Sequence, residues 1–325
     1  MTSHQDQVLL GLALVAARGL SRNGRESLLR ERLAPRDFSR LSRTDIHDLT
    51  GEWPRDGFGS PSRLARDAET CLRTCERGGI SVVVLDDAGY PPLLREIQYA
   101  PLVLFVRGAR IDDLCTSPPG PVSIVGTRQP TGAGRDLAWD LGAMLGESGI
   151  TVVSGLARGI DAASHAGALA GSGRPLAVLG CGVDTIYPAS NRGLGRAILK
   201  AGGALVSEYP PGTPPLKHHF PARNRIISGL SPLTVVVEAP VRSGALITAD
   251  FALDQGRDVA VTAVALGSSR GAGAAALARD GAAVIGHADE VISLLSPGPH
   301  PFAGADSVSE LVLANGGVGS ATETE

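Results

Sequence analysis

VSIVGTRQPTGAGRDLAWDLGAMLGESGITVVSG, residues 122–155, is the stretch that decides the fold. It opens on an apolar run, VSIVG, and passes through a glycine-rich turn. A helical stretch over about 134–148 follows, and a second apolar run, ITVVSG (150–155), closes it. Apolar runs without polar alternation suit strands covered on both faces, which points to a parallel sheet with helices on each side. The rhythm repeats downstream in PLAVLG (175–180), ALVSE (204–208), LTVVVEA (233–239), DVAVTAV (258–264) and AAVIG (282–286). Helical segments separate these runs at about 161–171, 190–201, 221–229, 244–255 and 273–279, and ADEVISLL (288–295) closes the unit. Right-handed crossovers between such strands predict an α/β fold with a doubly wound, Rossmann-like, mostly parallel sheet.

Upstream, ISVVVL (80–85) and LVLFVRG (102–108) read as two further strands around a short helix, and CTSPPGP (115–121) reads as a linker. Residues 1–78 form a small all-helical domain in this reading, with helices at 6–18, about 24–33, 43–49 and 61–77. ARGLSRNG (17–24) is the hairpin between the first two, of a kind that touches a nucleic-acid backbone in small helical modules or simply packs. The Rossmann-like domain occupies 79–296, and the tail 297–325, biased to Gly, Ser, Ala and acids, is expected to be disordered.

The charge balance narrows the functions. With 33 acidic and 30 basic residues the net charge is −3, so no global field attracts nucleic acid and any such binding must use a local patch. Such a patch exists: KHHFPARNRIISGLS (217–231) packs one of the chain's two lysines, two histidines and two arginines into nine residues around Phe220 and Pro221. Cations with an aromatic between them suit a single strand of nucleic acid; the plain alternative is a solvated helix start. The four cysteines (71, 75, 115 and 181) make no metal pattern and read as reduced thiols of a cytosolic protein. The apolar run VLLGLALVAA (8–17) is far too short to span a bilayer and has no preceding Lys or Arg.

In a doubly wound sheet the loops beyond the strands' carboxyl ends meet ligands. The first, GTRQPTGAG (126–134), offers glycines, Gly126 and Gly132 among them, to turn amides toward an anion, a helix start beyond, and Arg128 as a phosphate clamp. The second, SGLARGID (154–161), flanks Arg158 with glycines; Asp161 reads as the N-cap of the next helix and His165 as a possible partner for it. The third, GCGVDTIYPASN (180–191), has Gly180 and Gly182 for close approach, Asn191 as a polar contact, and Asp184 and Tyr187 to brace the turn. In the fourth, Pro221 reads as the first helical residue, which places Arg223 and Arg225 in the first turn or so, where cations call for an anion. The fifth, EAPVRSGALITA (238–249), sets Ser243, Gly244 and Thr248 at a helix N-terminus. No G-K-[ST] and no complete dinucleotide fingerprint occurs, and the adjacent histidines at 218–219 do not make a metal site. No cofactor is expected.

SIVGTRQPTGAG, VSGLARGIDAASHAGAL, LAVLGCGVDTIYPASN, LVSEYPPGTPPLKHHFPARNRIISGLS and VVVEAPVRSGALITADFAL, in this order over about 80–265, resemble the DprA (Smf) family of DNA-processing proteins. The helical start is similar to that family's sterile-alpha-motif-like (SAM-like) domain. The resemblance implies a cytoplasmic, non-catalytic protein that binds and protects incoming single-stranded DNA. It further implies help in loading RecA during natural transformation and recombination, and a homodimer formed through the Rossmann region. Matched residue by residue, the implied DNA contacts are Arg128, Ser154, Gly155, Arg158, Lys217, Phe220, Arg223, Asn224 and Arg225, with Gly126 and Gly244 shaping loops. Phe220 either stacks on a base or packs beneath its loop.

Three departures matter. Ala133 stands where many members have an aromatic. AVTAVALGSSRGAGAAALARDGAAV has Ala274 near an expected Asn, so no role is carried past residue 262. The tail after Leu295 is too short for the winged-helix domain of many members. The competing reading is a small-nucleotide-binding Rossmann-like enzyme or sensor, although VRSGALITAD lacks the P-G-G and Glu of the related phosphoribohydrolases.

Overall fold

The computed structural model describes residues 3–295. Nine strands form one sheet: β1 (Ile80–Val84), β2 (Val103–Gly108), β3 (Val122–Val125), β4 (Val152–Ser154), β5 (Leu176–Val178), β6 (Ala204–Ser207), β7 (Leu233–Val236), β8 (Asp258–Thr262) and β9 (Ala283–Ile285). Their order is β1-β2-β6-β5-β4-β3-β7-β8-β9. From β6 to β9 every pairing is parallel, whereas β1 pairs β2 and β2 pairs β6 antiparallel. The expected mostly parallel α/β sheet is therefore present.

Successive strand residues point to opposite faces, and both faces are covered. Val125, Val153 and Val236 pack with Ile226, Ala249 and Ala274 on one side. Ile124, Val152 and Val235 pack with Leu141, Ala168 and Val291 on the other. This is why the strands carry no polar alternation. The many glycines partly serve close packing between helices Gly132–Glu147 and Ile160–Ala170, where a Cβ on Gly167 would land on the Trp139 carbonyl.

The N-terminal helices begin where serines cap them. Ser3, Ser21, Ser42 and Ser60 each accept a backbone N–H three residues on, and Asp6 and Asp45 return the bond. These caps start the first two helices at His4 and Arg22, two residues earlier than the apolar pattern alone suggests. The amide of Ser21 in the 17–24 hairpin donates to the Glu52 carboxylate at 2.8 Å, so a group of the same chain already occupies it. Leu10, Leu14, Leu28 and Ile46 share one buried cluster with Val103 and Phe105 of β2 and Leu205 of β6. The helical segment is thus seated on the antiparallel edge of the sheet.

Strand β8 stops at Thr262, and residues Ala263–Gly267 turn into a short helix in place of the longer strand expected from DVAVTAV. The tail 297–325 lies outside the described residues. Among the described residues no helix is long and apolar enough to cross a membrane.

Candidate nucleic-acid interface

The chain winds from β3 outward through β4, β5 and β6, then returns to β7 on the other flank of β3. At that reversal the loops after β3 and β7 diverge, and a crevice opens at the carboxyl ends of the strands. Two adjoining cavities of about 640 and 450 Å³ occupy it, sharing Arg128, Tyr187, Phe220 and Arg223 in their walls.

The loop after β3 is pinned on both sides. Thr127 N–H donates to the Glu238 carbonyl (2.7 Å), and its own carbonyl accepts from Ile160 N–H (3.2 Å). Gly126 has no room for a Cβ between Ile160 and the Glu238 carbonyl. Gly159 sits at φ +83°, a left-handed conformation that suits glycine, against the Thr127 carbonyl. Arg128, Arg158 and Lys217 project from three such loops, all exposed and none in an ion pair among the described residues. Arg270 joins them at the rim of the smaller cavity. The family resemblance does not point to it, because its segment departs from the family pattern. Its signal was available: a lone cation in a Gly/Ser-rich loop beyond a strand's carboxyl end.

The floor is a buried charge network. Arg223 donates from Nη1 to the carbonyl of Gly155 (2.9 Å) and to that of Val178, bridging the ends of β4 and β5. The Asp161 carboxylate accepts from the amides of Gly155 (3.1 Å) and Ala157 (3.3 Å). Burial pushes the Arg223 guanidinium down to about 10, with Asp161 opposing, so it stays charged at neutral pH. Burial likewise raises the Asp161 carboxyl, opposed by Arg223 and the two amides. Asp161 is therefore a brace for the second loop and not the helix N-cap; that position belongs to Gly159.

His165 does not pair with Asp161. It is wholly buried, neither ring nitrogen makes a hydrogen bond of normal geometry, and burial depresses it from 6.5 to about 3. The unfolded chain takes up a proton near 6.5 that the folded chain refuses until about 3, so stability falls as pH drops through 6.5. From this group alone the loss between about pH 7.5 and about pH 5.5 is about 1.4 kcal/mol. Denaturant unfolding at the two pH values should show that His165→Leu removes this part of the loss.

The remaining expected contacts separate by burial. Phe220 is half-buried, its ring against Gly180 and 5.4 Å from the Tyr187 ring, which is 43% exposed. Tyr187 thus forms wall as well as brace. Asn224 donates from Nδ2 to the Gly244 carbonyl (3.0 Å), holding the first turn of helix Gly244–Asp254, where Ser243 is the N-cap residue. Asn191 donates to the carbonyls of Leu156 (2.9 Å) and Ala157 (3.1 Å) and so shapes the second loop from behind.

Three further placements correct the sequence reading. The Ser154 hydroxyl is buried and donates to the Ile124 carbonyl (2.6 Å), out of reach of any ligand, and Gly155 is buried with both backbone groups engaged. Helix His219–Gly229 starts two residues before Pro221, so Arg225 falls in its second turn. Two residues along a helix turn the side chain through about 200°, so Arg223 and Arg225 leave opposite sides. Arg225 pairs with Glu208 (2.6 and 2.7 Å) and donates to the Tyr99 carbonyl (3.1 Å), away from the crevice.

The third correction concerns the start of helix Gly132–Glu147, expected to hold an anion. Glu238 fills that place: its carboxylate accepts from Thr131 N–H (2.9 Å), Thr131 Oγ1 (2.8 Å) and Ser268 Oγ. A Cβ at Gly132 or Gly244 meets nothing within 4 Å, so space does not demand glycine there. A Cβ at Gly180 would press on the Phe220 ring, and one at Gly182 on Asp184 and the Pro210 carbonyl.

Fold and site together define a Rossmann-like protein with a cation- and aromatic-lined crevice at its switch point, and no cluster of metal-ligating side chains among the described residues. The chain belongs to the DNA recombination-mediator protein A family, whose model matches residues 81–296. It is 50% identical over 175 residues to Protein Smf of Synechocystis sp., covering 54% of this chain and 44% of that relative's length. The structure is similar to that of DNA processing protein A (DprA) from Streptococcus pneumoniae, with a TM-score of 0.73 and 31% identity over 90% of this chain and 98% of that one. It is also similar to DNA processing protein A from Helicobacter pylori, described for its single-stranded DNA binding mode (TM-score 0.58, 28% identity, 66% of this chain, 95% of that one).

Proposed function

We propose that this chain binds single-stranded DNA in the switch-point crevice, without catalytic turnover. It shields incoming strands and helps load RecA in recombination and natural transformation, acting in the cytoplasm as a homodimer. The observation that carries the binding reading is the set of exposed cations, Arg128, Arg158, Lys217 and Arg270, around the aromatic wall of Tyr187 and Phe220. Such a groove suits a backbone of phosphates with bases that stack. The Helicobacter pylori relative's described binding mode supports the same ligand class. Glu238 weighs against the small-nucleotide alternative, because it already fills the helix start where a nucleotide phosphate would sit.

Salt decides the matter. Each phosphate neutralised on a single strand contributes about −0.7 to the slope of log affinity against log salt. Four contacts predict a slope of about −3, or roughly a 50-fold loss between about 50 and about 200 mM salt. Oligo(dT) titrations that show a flat response, or no binding near physiological salt, would sink the reading. RecA-filament assembly on protein-coated oligo(dT), with the mass of the complex read in parallel, tests the loading role and the dimer.

A further inference from the structure

We propose a second contact for the same single strand, outside the crevice, at Tyr99 in the cleft between the N-terminal helices and the lead-in to the sheet. It rests on the single-stranded DNA reading above. Two cavities of about 450 and 260 Å³ meet there, and both are lined by Arg22 and Tyr99.

Tyr99 has φ +64°, a left-handed conformation that a bulky aromatic rarely adopts, and its side chain is 56% exposed. Glycine would take that backbone without strain, and an exposed ring gains little from burial, so neither the turn nor the core accounts for a tyrosine there. The strain is held from below: the Tyr99 carbonyl accepts from Arg225 Nε (3.1 Å), and Arg225 is itself fixed by two bonds to Glu208. Strained residues that the surroundings hold in place concentrate at ligand sites.

The charge around the ring fits an anionic chain. Arg22, Arg25, Arg30 and Arg95 line the two cavities. Glu26 contacts both Arg22 (2.5 Å) and Arg30 (3.5 Å), so one carboxylate serves two guanidiniums. Arg95 donates to the carbonyls of Leu85, Asp87 and Tyr90 and is in no ion pair among the described residues. Asp86 and Glu208 also line the cavities, Glu208 already paired with Arg225, and Glu52 lies near Arg25. A surplus of cations beside an exposed ring repeats the chemistry of the crevice.

The two sites flank a single helix. Lys217 and Phe220 stand at the start of helix His219–Gly229 on the crevice side, and Arg225 reaches from its other side to Tyr99. A strand leaving the crevice must pass around this helix, which is about 10–12 Å across, to meet the ring.

The test is an oligo(dT) length series at fixed salt, with oligomers of about 6 nucleotides against about 20. Tyr99→Ala and Tyr99→Gly are expected to weaken binding of the long oligomer about fivefold or more, with Tyr99→Phe close to wild type. None should change binding of the short oligomer, whereas Arg128→Ala should weaken both. Tyr99→Gly should also raise Tm while lowering long-strand affinity, a trade that a purely structural residue would not show. Arg30→Glu should reproduce the long-strand loss. If wild type binds both lengths and the Tyr99 and Arg30 variants bind like it, this inference is overturned and the crevice reading stands. If wild type binds no oligomer of either length, both are overturned.

Discussion

Replacing Arg223 with methionine is expected to destabilise the fold by about 3–5 kcal/mol. The guanidinium is wholly buried and holds the carbonyls of Gly155 and Val178 at the ends of two adjacent parallel strands. Methionine fills a similar volume but leaves both carbonyls without a donor and Asp161 without the cation that offsets its burial. The carboxyl would then be driven further up, toward protonation. Denaturant unfolding should show the loss at unchanged m-value, and adding Asp161→Asn to Arg223→Met should recover part of it by removing the stranded charge. A loss below about 1 kcal/mol would mean that the network is dispensable. Single-strand binding should weaken as well, since Arg223 supports the loops that carry Arg158 and Lys217.

The second large effect is on binding with stability untouched. Arg128→Glu combined with Lys217→Glu is expected to abolish oligo(dT) binding near physiological salt, a loss of about 100-fold or more. Both side chains are exposed and in no ion pair among the described residues, so Tm should move little. The loss should be alike for all base sequences, because phosphate contacts position a strand without reading it. Arg225→Met is the matched contrast. It breaks the part-buried pair with Glu208 and should lower Tm, yet leave short-oligomer affinity within about twofold. The opposite pattern, binding lost with Arg225 and kept without Arg128 and Lys217, would move the DNA path to the other side of helix His219–Gly229.

These two experiments separate residues that look alike in the sequence. Arg223 and Arg225 lie in one short basic cluster, and composition offers no way to tell a strut from a contact. The helical turn tells them apart: one side chain goes under the sheet's carboxyl edge, the other to Glu208 on the outer side. Ser154 is a similar case. Its place in SGLARGID suggests a ligand contact, but it is the last residue of β4, where the side chain points into the layer between strand and helices. Arg270 is the reverse, a surface cation in a segment whose divergence hid its position beside Arg128 and Arg158.

By itself the sequence determined the layered α/β architecture, the alternation of strands and helices, and the loops that line the ligand edge. Unbroken apolar runs and glycine-rich turns are local signals, read from neighbours along the chain. The fold class therefore needed no long-range information. It also marked the short helices of the N-terminal segment through apolar spacing, and the serine caps at 3 and 21 set where the first two begin. Only the tertiary structure decided which cations reach solvent. That choice depends on strand order, on the angle at which each side chain leaves its element, and on carboxylates distant in sequence. Glu238 is one, 107 residues from the Thr131 it holds, and Glu208 is another, 17 residues before Arg225. Charge is a property of a residue, whereas availability to a ligand is a property of everything packed around it.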